Sequence, residues 1–142
     1  MVVDDALAAE IERARARAVG GDPEGARVDL AALWRAATRA GDAFRACVAA
    51  HYLAHAQDAP RAQLAWHLRA LRAADAVGDD RVAGFYPSLH GNVADGYLRL
   101  GDGARARRHV ERARAAEHLL PDDGYGRMIR GLLARLDAAT GL

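Results

Sequence analysis

Seven amphipathic stretches alternate with short polar breaks along the chain. Within each stretch, apolar side chains recur every three or four residues, the spacing that gives a helix one apolar face. The breaks are rich in glycine, aspartate and proline. Glycine suits the end of a helix, aspartate caps the start of the next one, and proline fits its first turn. The pattern therefore predicts an all-α protein with about seven helices.

The breaks pair these helices into three hairpins followed by one terminal helix. Aspartate is expected to cap most of the helix starts, including Asp58 before Pro60. Pro87 lies inside the fifth stretch, so either that helix kinks there or its regular part begins there. The predicted bounds, within a single domain of residues 1–142, are approximately 5–40, 42–77 and 81–119 for the hairpins and 123–139 for the terminal helix.

The third hairpin carries the clearest packing pattern. Its small and aromatic positions Ala94, Tyr97, Ala106 and Ala113 fall where two antiparallel helices must press together. This unit resembles the tetratricopeptide repeat, and the interval between turns is somewhat longer than the usual repeat of about 34 residues. Longer repeats of this kind resemble those of bacterial regulators of the MalT and AfsR type. The resemblance implies a right-handed superhelical stack with a C-terminal capping helix.

In this family the first helix of each hairpin lines a concave face, and helical spacing identifies the inward stripe. The inward stripe of the third hairpin consists of Ser88, Asn92, Asp95 and Arg99. It contains the only serine and the only asparagine of the chain, together with an acid and an arginine. Its asparagine resembles the residue that helps to clamp a ligand carboxylate in peptide-binding members. The alternative is a solvated helix face with an ordinary ion pair. The candidate ligand-binding residues are Arg15, Phe44, His51, His55, Ser88, Asn92, Asp95 and Arg99.

His51 and His55 lie one helical turn apart, a spacing that suits a metal ion or a proton relay. Asp95 or His90 could supply a third ligand. The bare H-x-x-x-H pattern lacks the glutamate and the third ligand of known zinc motifs. We therefore predict no metal and no cofactor, and we interpret both histidines as hydrogen-bonding groups. His90 is expected to pack toward its partner helix. The other histidines are interpreted as surface or packing residues: His67, His109 and His118.

Composition narrows the class of protein. The chain has 20 basic and 19 acidic residues and a net charge of +1, so nucleic-acid and anionic-membrane partners are not expected. The sequence contains no lysine, which excludes Schiff-base chemistry and a P-loop. Cys47 is the single cysteine, and we interpret it as a small buried apolar residue. Since no signal peptide or spanning segment is evident, a cytoplasmic location is expected.

Three functions are compatible with these sequence features. The leading prediction is a binding or scaffold protein whose concave face holds a partner protein or peptide with an acidic or carboxylate-bearing segment. The alternative is a small enzyme or small-molecule-binding protein in which His51 or His55 acts as acid or base and Asp95 orients or shares the proton. The third is a self-associating scaffold, such as a homodimer, whose groove is filled by its own terminal helix. What faces Gly91 (solvent, a ligand or another helix) distinguishes these functions.

Overall fold

Helices account for most of residues 3–141, the part of the chain that the computed structural model describes. No β-strand occurs within these residues. The all-α class and the seven helices predicted from the sequence are confirmed. Single 3-10 turns precede α5 at Ala83–Phe85 and follow α6 at Glu117–Leu119. The helices are α1 (Asp5–Val19), α2 (Pro23–Arg39), α3 (Ala43–His55), α4 (Pro60–Val77), α5 (Tyr86–Arg99), α6 (Gly103–Ala115) and α7 (Gly124–Thr140).

Aspartate side chains cap five of these helices, as their positions in the sequence predict. Asp22, for example, accepts a hydrogen bond from the Gly25 amide at 2.9 Å. The prediction for α4 is wrong, because Ala59 is its N-cap and no side-chain cap bond forms. Asp58 lies one residue too early to reach the first free amides of the helix. Pro60 does occupy the first turn, where its missing N–H leaves no hydrogen bond unmade.

Pro87 marks the beginning of a helix. It lies in the first turn of α5, directly after the 3-10 turn Ala83–Phe85. The first amides of a helix have no partner inside it, so proline is tolerated at this position. The second of the two alternatives for Pro87 is therefore correct.

The first of two compact units ends at Arg81 and contains the first four helices. α1 packs on α2, α2 on α3, and α3 on α4. Small side chains surround Leu30 and Leu53 in part of its core, which allows the helices to approach closely. Every residue from 46 to 50 is buried, because α3 contacts a neighbouring helix on either side. The side chains of α3 are therefore packed against neighbouring helices on both sides.

The second unit begins at Val82 and contains the last three helices. Ala94, Ala106 and Ala113 are fully buried, and the ring of Tyr97 stacks on that of His109 at 5.7 Å between centroids. These contacts confirm the predicted packing between α5 and α6. The terminal helix α7 packs against both. The superhelical arrangement of repeats stays a prediction.

Gly91 faces α7. A Cβ atom at this position would lie 3.2 Å from the Cδ2 atoms of both Leu132 and Leu133. The glycine therefore lets α7 pack closely on α5. The terminal helix of the same chain therefore faces Gly91, as expected for the third function, and no space for a ligand remains at this position. Self-association itself stays a prediction.

Candidate functional site

Three imidazole rings meet at one place in the first unit. His51 and His55 lie one turn apart on α3, and His67 reaches them from α4. If one ring nitrogen is taken from each histidine, the three nitrogens all lie within 4.8 Å of one another. The rings of His51 and His55 have their centroids 4.8 Å apart, and those of His55 and His67 are 5.0 Å apart. We call these three residues the histidine cluster.

The histidine cluster extends from the interior to the surface. His67 is buried, with 7% of its surface exposed, His51 is half-buried and His55 is exposed. Burial, together with the nearby rings of His55 and His67, lowers the pKa of His51 to about 3. Loss of hydration also lowers the pKa of His55 below its ordinary value. His51 is therefore a neutral imidazole at pH 7, since burial disfavours its charged form.

An apolar pocket of about 410 Å³ adjoins the histidine cluster. Its volume lies within the range of about 300–1,000 Å³ that is usual for ligand sites. His55 belongs to both the pocket and the cluster. The pocket opens between α1, α2 and α3, and its lining consists of Ala14, Arg15, Ala18, Val19, Ala26, Leu30, Tyr52, His55 and Ala56.

Polar groups of the apolar pocket come from α1 and α3. The Arg15 guanidinium lies 5.9 Å from the centroid of the Tyr52 ring, within the range of a cation–π contact. Arg15 also pairs with Glu12 at 3.5 Å between Nη1 and Oε1, and both side chains are largely exposed. An exposed pair of this kind is weak, so a carboxylate of a ligand can replace Glu12.

Phe44 and Cys47 lie toward the other end of α3. Phe44 is 9% exposed, and the Arg81 guanidinium lies 5.3 Å from its ring centroid. It lies about 16 Å along the helix axis from His55, given a rise of 1.5 Å per residue. Cys47 is fully buried, and burial raises its pKa to about 12. The interpretation of Cys47 as a small buried residue is confirmed.

The predicted polar stripe of the second unit forms contacts within its own helix, α5. The Asn92 side-chain amide donates to the hydroxyl of Ser88 at 3.5 Å, and Ser88 is buried. Asp95 pairs with Arg99 at 3.0 Å between Oδ2 and Nε. Neighbours four residues apart thus provide partners for one another along the stripe.

A second imidazole contact lies between α5 and α6. The Nδ1 atoms of His90 and His109 are 3.0 Å apart, the ring of Tyr86 stacks on His90, and the ring of Tyr97 stacks on His109. His90 packs toward its partner helix, as predicted. Burial lowers the pKa of His109, and the positive charges of Arg112 and Arg108 lower it further.

His67 was not among the site residues predicted from the sequence. The H-x-x-x-H spacing indicated only the two histidines of α3, and the third ligand was sought in Asp95 or His90. The available signal was that α3 and α4 form a hairpin, so their facing side chains meet. Which residue of α4 faces His51 and His55 depends on the length of the loop and on the angle at which the two helices cross. The spacing of residues along one helix specifies neither.

No family model, no curated protein and no solved structure that was compared with the chain matches it. Among the described residues, no helix combines the length and the apolar character needed to cross a bilayer.

Proposed function

We propose that the chain is a binding module of the tetratricopeptide-repeat type, which holds a segment of a partner protein in the apolar pocket. The observation that carries this proposal is the meeting of Arg15 and His55 at one pocket. Both are among the candidate ligand-binding residues that the family resemblance implies. The pocket has the size of a ligand site and is lined mostly by alanine and leucine.

The chemistry of the pocket indicates what the partner presents. Its alanine and leucine walls favour an apolar side chain, since burial of apolar surface contributes about 25 cal/mol per Å². Arg15 offers a planar guanidinium that suits a carboxylate. Val19 is 90% exposed and extends the apolar surface at the edge of the pocket. The partner segment therefore combines an apolar side chain with a neighbouring acidic group.

Acid–base catalysis has less support from the same residues. A general base works best when its pKa lies near the operating pH. The pKa of His51 is lowered to about 3, so this imidazole is a weak base at neutral pH. Asp95 pairs with Arg99 on its own helix. Binding is therefore the function that the geometry favours.

Selection from a library of displayed random peptides on the full chain tests this proposal. Selected peptides are synthesised with a fluorescent label and titrated into the wild type and into Arg15→Gln and Ala18→Phe. We expect an acidic residue next to an apolar one in the selected peptides. Arg15→Gln should weaken their binding about tenfold, because a charge-assisted hydrogen bond contributes about 1.5 kcal/mol. Ala18→Phe should weaken it further by filling the pocket.

Arg13→Gln is the matched control, since Arg13 is an exposed arginine of α1 outside the pocket lining. It should bind the peptides as the wild type does, and circular dichroism should show the same helix content in all variants. Peptides that bind the wild type and both pocket variants equally would exclude the pocket as the binding site.

A further inference from the structure

We propose that His51, His55 and His67 form a binding site for a divalent transition-metal ion, with Zn²⁺ as the ion that fits best. Metal binding does not require the proposed peptide binding, although His55 belongs to both sites. It depends on the convergence of three imidazole nitrogens from two packed helices at one place.

The distances within the histidine cluster are close to those of a coordination site. Three atoms that lie no more than 4.8 Å apart all lie within about 2.8 Å of a common centre, whereas Zn²⁺ binds imidazole nitrogen at about 2.0–2.1 Å. Each nitrogen therefore has to move inward by less than about 1 Å. Rotation of the imidazole side chains can supply this movement without a change in the backbone.

The backbone around the histidine cluster is held firmly. His51 and His55 share one side of α3, because residues four apart on a helix lie above one another. His67 belongs to α4, which packs closely against α3. Leu53 and Leu64, near these ligands on the two helices, are buried. A metal site is most precise when its ligands lie on rigid elements of this kind.

The ligand type determines which ions the site prefers. Three nitrogen ligands favour zinc, copper or nickel over magnesium or calcium, which prefer oxygen. Cys47, one turn before His51 on α3, is not among the residues of the cluster, so no thiolate joins the set. Zinc with three histidines leaves one of four tetrahedral positions open to water or a ligand. His55 is exposed, so this position can be reached from solvent.

Calorimetric titration of Zn²⁺ into the full chain tests the site. The protein is prepared without a histidine tag and treated with a chelator beforehand. We expect one ion per chain and an increase in Tm, because an ion that binds only the folded state stabilises it. His55→Ala should reduce the affinity at least about 100-fold, since it removes a direct ligand, and loss of an outer-shell partner alone costs about 10–100-fold. Because His55 is exposed, this variant should fold normally.

His67→Gln should lose Zn²⁺ affinity as His55→Ala does, and His55→Ala alone decides the outcome if His67→Gln does not fold. Co²⁺ provides a second readout, since tetrahedral coordination gives it intense visible absorption that both variants should lack. His118→Ala and His109→Ala are the matched controls, and both should bind Zn²⁺ as the wild type does. The proposal is overturned if the wild type binds Zn²⁺ no better than His55→Ala, or if His109→Ala loses as much affinity as His55→Ala.

Discussion

At the scale of single residues, His51 is the group whose protonation the fold opposes most clearly. Burial is the main cause of its low pKa, and the rings of His55 and His67 add to the effect. In an unfolded chain the same imidazole has an ordinary pKa of about 6.5. Acid therefore protonates the unfolded chain before it protonates His51 in the folded protein.

This difference predicts that the metal-free protein loses stability as the pH falls below about 6.5. Between that value and the folded pKa of about 3, the unfolded state holds the extra proton. The contribution of His51 to the free energy of unfolding should therefore fall by up to about 1.4 kcal/mol per pH unit and be fully present above pH 6.5. Urea unfolding from about pH 7.5 down to about pH 3.5, which covers most of the interval between these two pKa values, measures this contribution.

His51→Gln provides the comparison for this experiment, because glutamine does not titrate. Its stability should fall less steeply between the same pH values. Some slope should remain, since the pKa of His55 and that of His109 are also lowered. Identical pH profiles for His51→Gln and the wild type would contradict the low pKa of His51.

At the scale of the elements, the contact between α5 and α7 depends on the absence of a side chain at Gly91. Leu132 and Leu133 fill the space that a Cβ atom would enter. Gly131 of α7 differs, because nothing lies within 4 Å of a Cβ atom placed there. The two positions therefore separate the effect of packing from the helix propensity of glycine.

Gly91→Leu should destabilise the protein by about 1–3 kcal/mol, the usual effect of overpacking a well-filled core. Gly91→Ala should stay within about 1 kcal/mol of the wild type, because the higher helix propensity of alanine offsets a small shift of the two leucines. Gly131→Leu serves as the control and should be neutral or stabilising. Chemical denaturation measures all three variants, and an equal loss in Gly91→Leu and Gly131→Leu would argue against close packing of α7 on α5.

At the scale of the whole molecule, positive and negative charges nearly cancel. The 20 basic and 19 acidic residues leave a net charge of +1. Many of these charges pair locally, as when Arg107 and Arg114 share Asp137 at 2.6 and 3.3 Å. A protein that neutralises several phosphates needs a surplus of unpaired basic groups.

We therefore expect no binding to double-stranded DNA of random sequence at about 0.15 M salt. Fluorescence anisotropy of labelled DNA measures the affinity. A second titration at low salt detects weak electrostatic attraction. An affinity that persists at the higher salt and falls steeply as more salt is added would indicate a basic surface that the charge balance does not predict.

The sequence alone determined the features that depend on neighbours along the chain. Apolar side chains three and four residues apart predicted the seven helices, and glycine, aspartate and proline predicted most of their bounds. The burial of Ala94, Ala106 and Ala113 in a hairpin with a short turn was also predictable, because small residues allow facing helices to approach. His51 and His55 could be assigned to one side of a helix for the same reason, since helical spacing is a local property.

Only the tertiary structure decided which distant side chains meet. It brought His67 to the two histidines of α3, placed Arg15 with His55 at one pocket, and covered Gly91 with α7. Each of these contacts depends on where one helix crosses another, and small changes in a loop move that crossing along the helix. The periodicity of a sequence specifies which face of a helix is apolar, whereas packing of the whole unit selects the level at which two faces come together.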